Sequence, residues 1–301
     1  MRRIGSLTSN KFVYPAAAVF LSLVFLFSFT AQAHRLALSA PAELTIWAWE
    51  RDEDLSFIDS AKVSVAYFAG TIYVKGSSVR FRPRTQKLIV PKGTHSFPVF
   101  RIESIRSSIH PPGTKTSSLT GCEIPTMQAA DYVAKTIAIQ MDKLKLSNSG
   151  LNSLSGSGSN FARTAVQIDF DALEDERTFY KQMLRNLKHE IPCDTRISIT
   201  SLASWLLADK WLERGCADEA VAMLFSIGPG KREVLSLLKK QSLNSGAGIP
   251  IAVGISAYEP ATNQALFQSN IQNKTGNLYL FSSRPWTQSR LRSITSEALA
   301  Q

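Results

Sequence analysis

The residues Val166-Gln167-Ile168-Asp169-Phe170-Asp171 combine a strand-like alternation with two carboxylates. Successive side chains of a strand point to opposite faces, so Val166, Ile168 and Phe170 share one face and Gln167, Asp169 and Asp171 share the other. At a rise of roughly 3.3 Å per residue the two acids stand about 7 Å apart. A helix-like run, Glu174 to Glu190, follows at once. A strand that ends in acids and turns into a helix is how α/β enzymes present catalytic groups at the carboxyl edge of a sheet.

Polar groups recur at other strand-like ends. Glu50 closes Ile46-Trp47-Ala48-Trp49, and Arg101 and Glu103 share a face in Val99-Phe100-Arg101-Ile102-Glu103. Ser201, Ser204 and Trp205 follow a fifth such run, Glu259 lies just past a seventh, and Trp286 just past an eighth. Carboxylates rimmed by tryptophan suit a carbohydrate site. One protonated acid can donate to a leaving oxygen while another acts as base or nucleophile. Crowded acids push their pKa values apart, which allows both roles near neutral pH. In this scheme Asp169, Asp171 and Glu103 are the catalytic candidates. Arg101, Glu50, Trp47, Ser204, Trp205, Glu259 and Trp286 are the binding candidates. Each has a structural alternative. Arg101 and Glu103 can form an ion pair inside the protein, Asp169 or Asp171 can cap the next helix, and the tryptophans can belong to the core.

These groups work together only if the elements bring them together. Apolar runs bounded by turn signals mark eight strands: Leu44–Trp49, Lys62–Tyr67, Phe97–Glu103, Ala165–Asp171, Arg196–Ser201, Ala220–Phe225, Ile249–Ile255 and Asn277–Ser282. Several, such as Val221-Ala222-Met223-Leu224-Phe225, are apolar on both faces, the mark of a parallel sheet. The 3.6-residue period predicts helices over Met127–Leu146, Glu174–Glu190, Leu202–Arg214, Arg232–Gln241 and Thr287–Ala300. Eight strands with intervening helices over this length predict a single α/β domain, a (β/α)8 barrel of the TIM type, whose strand ends converge on one mouth. Extra β structure is expected between strands two and three, at Val79–Arg82 and Lys87–Val90. Ser147–Asn160, rich in Ser, Gly and Asn, reads as a loop.

Composition narrows the function classes. Arg2, Arg3 and Lys11 precede a 14-residue apolar run, Ala16 to Phe29, and Ala31-Gln32-Ala33 has the form of a cleavage site. This predicts a removed signal peptide, residues 1–33, and an exported barrel domain, residues 34–301. The run is short of the about 20 apolar residues of a membrane span. The signal holds three basic residues and no acid, so the net charge of +10 becomes +7 in the remaining 268 residues. Arg80, Arg82 and Arg84 alternate onto one strand face, a solvated edge or a contact for an anionic surface. Export and the lack of aromatic interleaving argue against nucleic acid. Of Cys122, Cys193 and Cys216, the last two flank one strand-helix unit and could pair. Four scattered histidines, at 34, 95, 110 and 189, and cysteines in no metal spacing predict no metal site. No cofactor fingerprint, Walker loop or Gly-x-Ser-x-Gly elbow is found.

The motifs Trp47-Ala48-Trp49-Glu50-Arg51, Val99-Phe100-Arg101-Ile102-Glu103, Gln167-Ile168-Asp169-Phe170-Asp171, Ser198-Ile199-Thr200-Ser201-Leu202-Ala203-Ser204-Trp205, Asp218-Glu219-Ala220-Val221 and Pro285-Trp286 resemble the bacterial domain of unknown function 3142 family. The resemblance runs from about Ile46 to Trp286. It implies a shape similar to barrel glycosidases and carries no established activity. The Asp-x-Asp also resembles the strand-four motif of family 18 chitinases, which continue with a glutamate two residues later. Here that position is Leu173, and the glutamate comes at Glu174. An acid would be expected beside Glu259, where this chain carries Tyr258. The expected function is that of an exported glycoside-hydrolase-like barrel acting on an extracellular or cell-wall glycan. The alternative is a non-catalytic glycan-binding or scaffold barrel of the cell envelope.

Overall fold

A computed structural model of the chain describes residues 44–106, 124–149, 164–209, 211–240, 243, 247–268 and 277–299. The signal segment, Cys122 and most of the Ser147–Asn160 stretch lie outside these residues. The strands are β1 (Leu44–Ala48), β2 (Glu53–Asp54), β3 (Val63–Lys75), β4 (Ser78–Pro83), β5 (Leu88–Ile89), β6 (Ser96–Ser104), β7 (Ala165–Asp169), β8 (Arg196–Leu202), β9 (Glu219–Met223), β10 (Ile251–Ser256) and β11 (Leu278–Phe281). The α-helices are α1 (Met127–Ser149), α2 (Arg177–Glu190), α3 (Lys231–Lys240), α4 (Pro260–Gln268) and α5 (Gln288–Leu299).

Eight strands close a parallel barrel in the order β1-β3-β6-β7-β8-β9-β10-β11, with β11 pairing back onto β1. The alternation that marks the strands also sorts the core. Ile46, Val65, Phe100, Ile168, Ile199, Ala222 and Ile255 face outward into the larger apolar cluster, against the helices. Trp47, Ala66, Phe97, Val99, Val221, Ala252 and Tyr279 form a second cluster inside the barrel. Helix α2 shows how the outer layer is made. Phe179, Tyr180, Met183, Leu184 and Leu187 fall on one face at helical spacing and are buried.

The extra β structure is present. β3 runs past the barrel rim and β4 pairs with it antiparallel, Thr71 opposite Arg82 and Tyr73 opposite Arg80. The register of β3 on β6 shifts between Phe68 and Gly70, a bulge after which the two strands stay paired to Val74 and Ser104. Only glycine fits there, because a Cβ on Gly70 would come within 2.5 Å of the Arg82 carbonyl and the Phe81 ring. β2 and β5 make a two-stranded ribbon beside the rim.

Two elements differ from the periodicity. The Leu202–Arg214 segment is not a helix of that length. After β8 it makes one π-helical turn, Trp205–Asp209, and Gly215 then takes a positive φ of 77°. Trp205, Leu206, Leu207 and Leu212 are all buried, and three of them are consecutive, so no single apolar stripe at helical spacing aligns a long helix here. Conversely, α4 carries no charged residue and no strong apolar stripe, but Pro260 sits at its first position, where a missing N–H costs nothing.

Candidate functional site at the barrel mouth

A cavity of about 190 Å³ opens at the carboxyl end of the strands, lined by Trp47, Trp49, Arg101, Asp169, Thr200 and Phe281, with Asp171, Met223 and Phe225 completing the wall. Its floor is aromatic. Trp47 lies 5.2 Å from Tyr279, and Phe225 and Phe281 stack at 5.0 Å with an interplanar angle of 4°. Space for the Trp47 indole comes from Gly254 on β10, where a Cβ would stand 3.0 Å from the ring.

Asp169 is 9% exposed at the end of β7. The Thr200 hydroxyl donates to it at 2.8 Å, and an Arg101 nitrogen stands 3.9 Å away. Burial pushes its carboxyl up to about 6. The Thr200 hydrogen bond and the Arg101 charge oppose that rise, and Asp171 and Glu103 add to it. Asp171 stands on the exposed rim, where partial desolvation still raises its carboxyl and the Arg101 charge opposes. Arg101 pairs with Glu103 at 2.9 Å and lies 5.9 Å from the Trp49 ring. One guanidinium thus stands between Glu103 and Asp169, so it is both the ion-pair partner expected of Glu103 and a wall of the cavity.

The rim is organised by β4. Arg82 pairs with Glu50 and reaches Tyr73 and Thr71. The Arg82 hydrogen bond holds the Glu50 carboxyl below its usual range. Glu50 is therefore a rim residue engaged by Arg82 and does not line the cavity. Arg84 donates to the carbonyls of Ala48, Trp49, Arg51, Gln86 and Lys87. Arg80 lies over the Tyr73 ring at 5.2 Å. The three alternating arginines thus differ in role, and Arg84 is turned into the structure.

The structure brings Trp47, Arg101, Glu103, Asp169 and Asp171 together and leaves other expected residues apart. Trp205 is 2% exposed and packs on Trp211 at 4.8 Å in the outer layer, because the turn after β8 carries it away from the mouth. Trp286 is 4% exposed. Its indole N–H donates to the Trp47 carbonyl and its backbone N–H to buried Glu53, so it braces β1 from behind. Ser204 is exposed on the turn and lines no part of the cavity. Glu259 precedes α4 and accepts from the Ser226 N–H, the Thr262 hydroxyl and Lys231, the work of a helix cap. Leu173 is 53% exposed, and Glu174 begins a short 3-10 turn. The buried acid of that turn is Glu176. It holds Ser104, Arg106 and the Leu173 N–H and is a structural clasp.

Sequence reasoning missed the aromatic floor of Phe225 and Phe281, whose signal was their alternation with Met223 and Tyr279. It also missed Thr200, which alternates with Ser198. Cys193 is exposed, Cys216 is buried, and both are free thiols. Among the described residues no group of three or more His, Cys, Asp or Glu could hold a metal ion, and no helix is long and apolar enough to cross a membrane.

Solved structures share this architecture. A candidate chitinase A from Streptomyces coelicolor matches over 86% of this chain and 99% of its own, with a TM-score of 0.51 and 12% identity. A xylanase and α-amylase inhibitor protein from Scadoxus multiflorus matches over 87% and 99%, with a TM-score of 0.46 and 10% identity. The Bacillus cereus spore cortex-lytic enzyme SleL matches over 86% and 75%, with a TM-score of 0.41 and 13% identity. At such identities the likeness is one of fold. No protein-family model and no curated protein matches the chain.

Proposed function

We propose that this chain is an exported barrel of glycoside-hydrolase type that acts on an extracellular or cell-wall glycan at its mouth, and that it belongs with the domain of unknown function 3142 family on the motifs quoted above. One observation carries the functional reading. A carboxyl raised to about 6, Asp169, lies on the wall of an aromatic cavity that a second acid, Asp171, also lines. A proton held near neutral pH is what a leaving glycosidic oxygen needs. In the proposed step Asp169 gives its proton to that oxygen as the bond to the anomeric carbon breaks. Asp171 or Glu103 then acts as a base, taking a proton from the water that attacks this carbon. Arg101 holds the ionised partners and limits the rise of Asp169. The half-buried indole of Trp49 offers a flat face to the apolar side of a sugar ring, above buried Trp47 in the floor.

A second reading, a barrel that binds glycan without cleaving it, rests on Leu173. The position where the chitinase-like motif would carry its acid is an exposed leucine. One experiment separates the two. The purified chain His34–Gln301 is incubated with a panel of bacterial and plant polysaccharides, and released products are followed by mass spectrometry. Release that is lost in an Asp169→Asn/Asp171→Asn double variant supports catalysis at this site. Full turnover by that variant removes the assignment, and binding without release supports recognition alone. Detection of the chain outside the cytoplasm with His34 as its first residue tests the export part independently.

A further inference from the structure

The mouth cavity holds more negative than positive charge. Among the described residues, the charged groups in its wall are Asp169, Asp171 and Arg101. Arg101 is already engaged, since Glu103 pairs with it at 2.9 Å. Three carboxylates thus share one guanidinium. The two in the wall are also short of donors. Asp169 Oδ1 accepts from Thr200, whereas Oδ2 stands 3.9 Å from Arg101, beyond hydrogen-bond range. Asp171 has no hydrogen bond and no ion pair among the described residues, and Arg101 reaches it only through space. Desolvation holds both carboxyls above their usual range in spite of that charge.

The rings beside these acids favour a cation. Trp49, Phe225 and Phe281 are half-buried, so a ligand can touch them. Trp49 stands at 77° to Phe281, and Phe225 stacks on Phe281, which makes two aromatic walls near a right angle. The face of an aromatic ring is negative and attracts an ammonium or a guanidinium. Arg101 itself lies 5.9 Å from the Trp49 ring. A sugar hydroxyl can donate to the acids but leaves their charge uncompensated. An ammonium brings three donors and a positive charge together.

We propose that the sugar seated in this cavity is an amino sugar whose amine is free. Its ammonium pairs with Asp171 at the rim, beside Trp49 and Phe281. Asp169 keeps its proton for the glycosidic oxygen, and Glu103 is left as the base. This inference rests on the glycan reading above and narrows it to glycans that carry unacetylated amines. Acetylation removes the positive charge, as it does on a lysine.

The test is calorimetric titration of the purified chain with glucosamine, N-acetylglucosamine and glucose, which share one ring and differ at one substituent. At about pH 7, where most of such an amine is protonated, glucosamine is expected to bind at least about tenfold tighter than either of the others. Asp171→Asn, a change outside the core, is expected to bring glucosamine to within about twofold of glucose, and Trp49→Ala to weaken glucosamine about tenfold. Added salt is expected to narrow the preference. Product release from chitosan and from neutral polysaccharides, followed by mass spectrometry, separates this inference from the hydrolase reading. A glucosamine preference without release from any polysaccharide supports the amine site and removes hydrolysis. Release from a neutral polysaccharide without a glucosamine preference supports hydrolysis and overturns the amine site. Glucosamine binding no tighter than glucose, a preference unchanged by Asp171→Asn, or no heat from glucosamine at millimolar concentration would each overturn the proposal.

Discussion

Asp169 shows what a candidate catalytic group costs its fold. In the folded chain it keeps its proton up to about pH 6, whereas an unfolded chain releases it near ~3.9. Between these values the folded state binds more protons, so stability falls as pH rises through this window and is fully retained below it. A rise of about two units corresponds to roughly 3 kcal/mol. Asp169→Asn keeps an oxygen for the Thr200 hydroxyl and removes the buried charge. It should therefore be more stable than the parent at neutral pH, by up to about 3 kcal/mol, with the gain gone around pH 4. Urea unfolding at the two pH values checks this, and an equal effect at both would refute it. The acids of β7 were legible because a period of two puts them on one face whatever the barrel's details. Trp205 and Trp286 were not. Beyond a strand end the direction of a side chain depends on the turn, and both turns bury their indoles.

Gly70 bears on the behaviour of a whole element. It lets β4 lie close against the part of β3 that runs past its pairing with β1, and β4 in turn carries Arg82 to Glu50. Gly70→Ala should cost about 1–3 kcal/mol through overpacking, read as a lower urea midpoint with unchanged slope. A change within the scatter of ordinary surface substitutions would mean that the ribbon shifts freely. All eight barrel strands were legible because each is a short apolar run between turn signals, and a parallel sheet buries both faces. Only the length of β3 was concealed, since its outer half pairs with β4 and reads as a separate hairpin. The Leu202–Arg214 helix failed because four large apolar side chains there are buried in different directions, which periodicity cannot distinguish from a stripe.

At the scale of the molecule, a polar chain threads the barrel. The Trp47 indole donates to Gln167 at 2.6 Å, Gln167 to Ser198 at 3.0 Å, and Ser198 to Glu219 at 3.0 Å. Tyr279 and Asn277 also donate to Glu219, at 2.7 and 2.6 Å. A carboxylate at the start of β9 thereby anchors a ring that walls the mouth. Glu219→Ala would leave two buried donors, Ser198 and Tyr279, and one half-buried donor, Asn277, unmet. It should destabilise the chain by roughly 3 kcal/mol or more and shift the tryptophan emission, and a variant as stable as the parent would show that water replaces the carboxylate. None of this chain was legible beforehand. Barrel closure was inferred from strand number, but the interior register that lines up Trp47, Gln167, Ser198 and Glu219 exists only once eight strands share one stagger.

Arg84 addresses five main-chain oxygens, those of Ala48, Trp49, Arg51, Gln86 and Lys87, and, among the described residues, no side chain. A clip that grips only peptide groups is indifferent to the residues it holds. The side chains of Gln86 and Lys87 can therefore be exchanged while the loop keeps its course, whereas Arg51 is tied to buried Glu53, Glu50 to Arg82 and Trp49 to the cavity wall, so positions 86 and 87 are the natural place to graft a new preference. The planar fork that does the gripping cannot be replaced by a lysine, whose ammonium is a single point of charge.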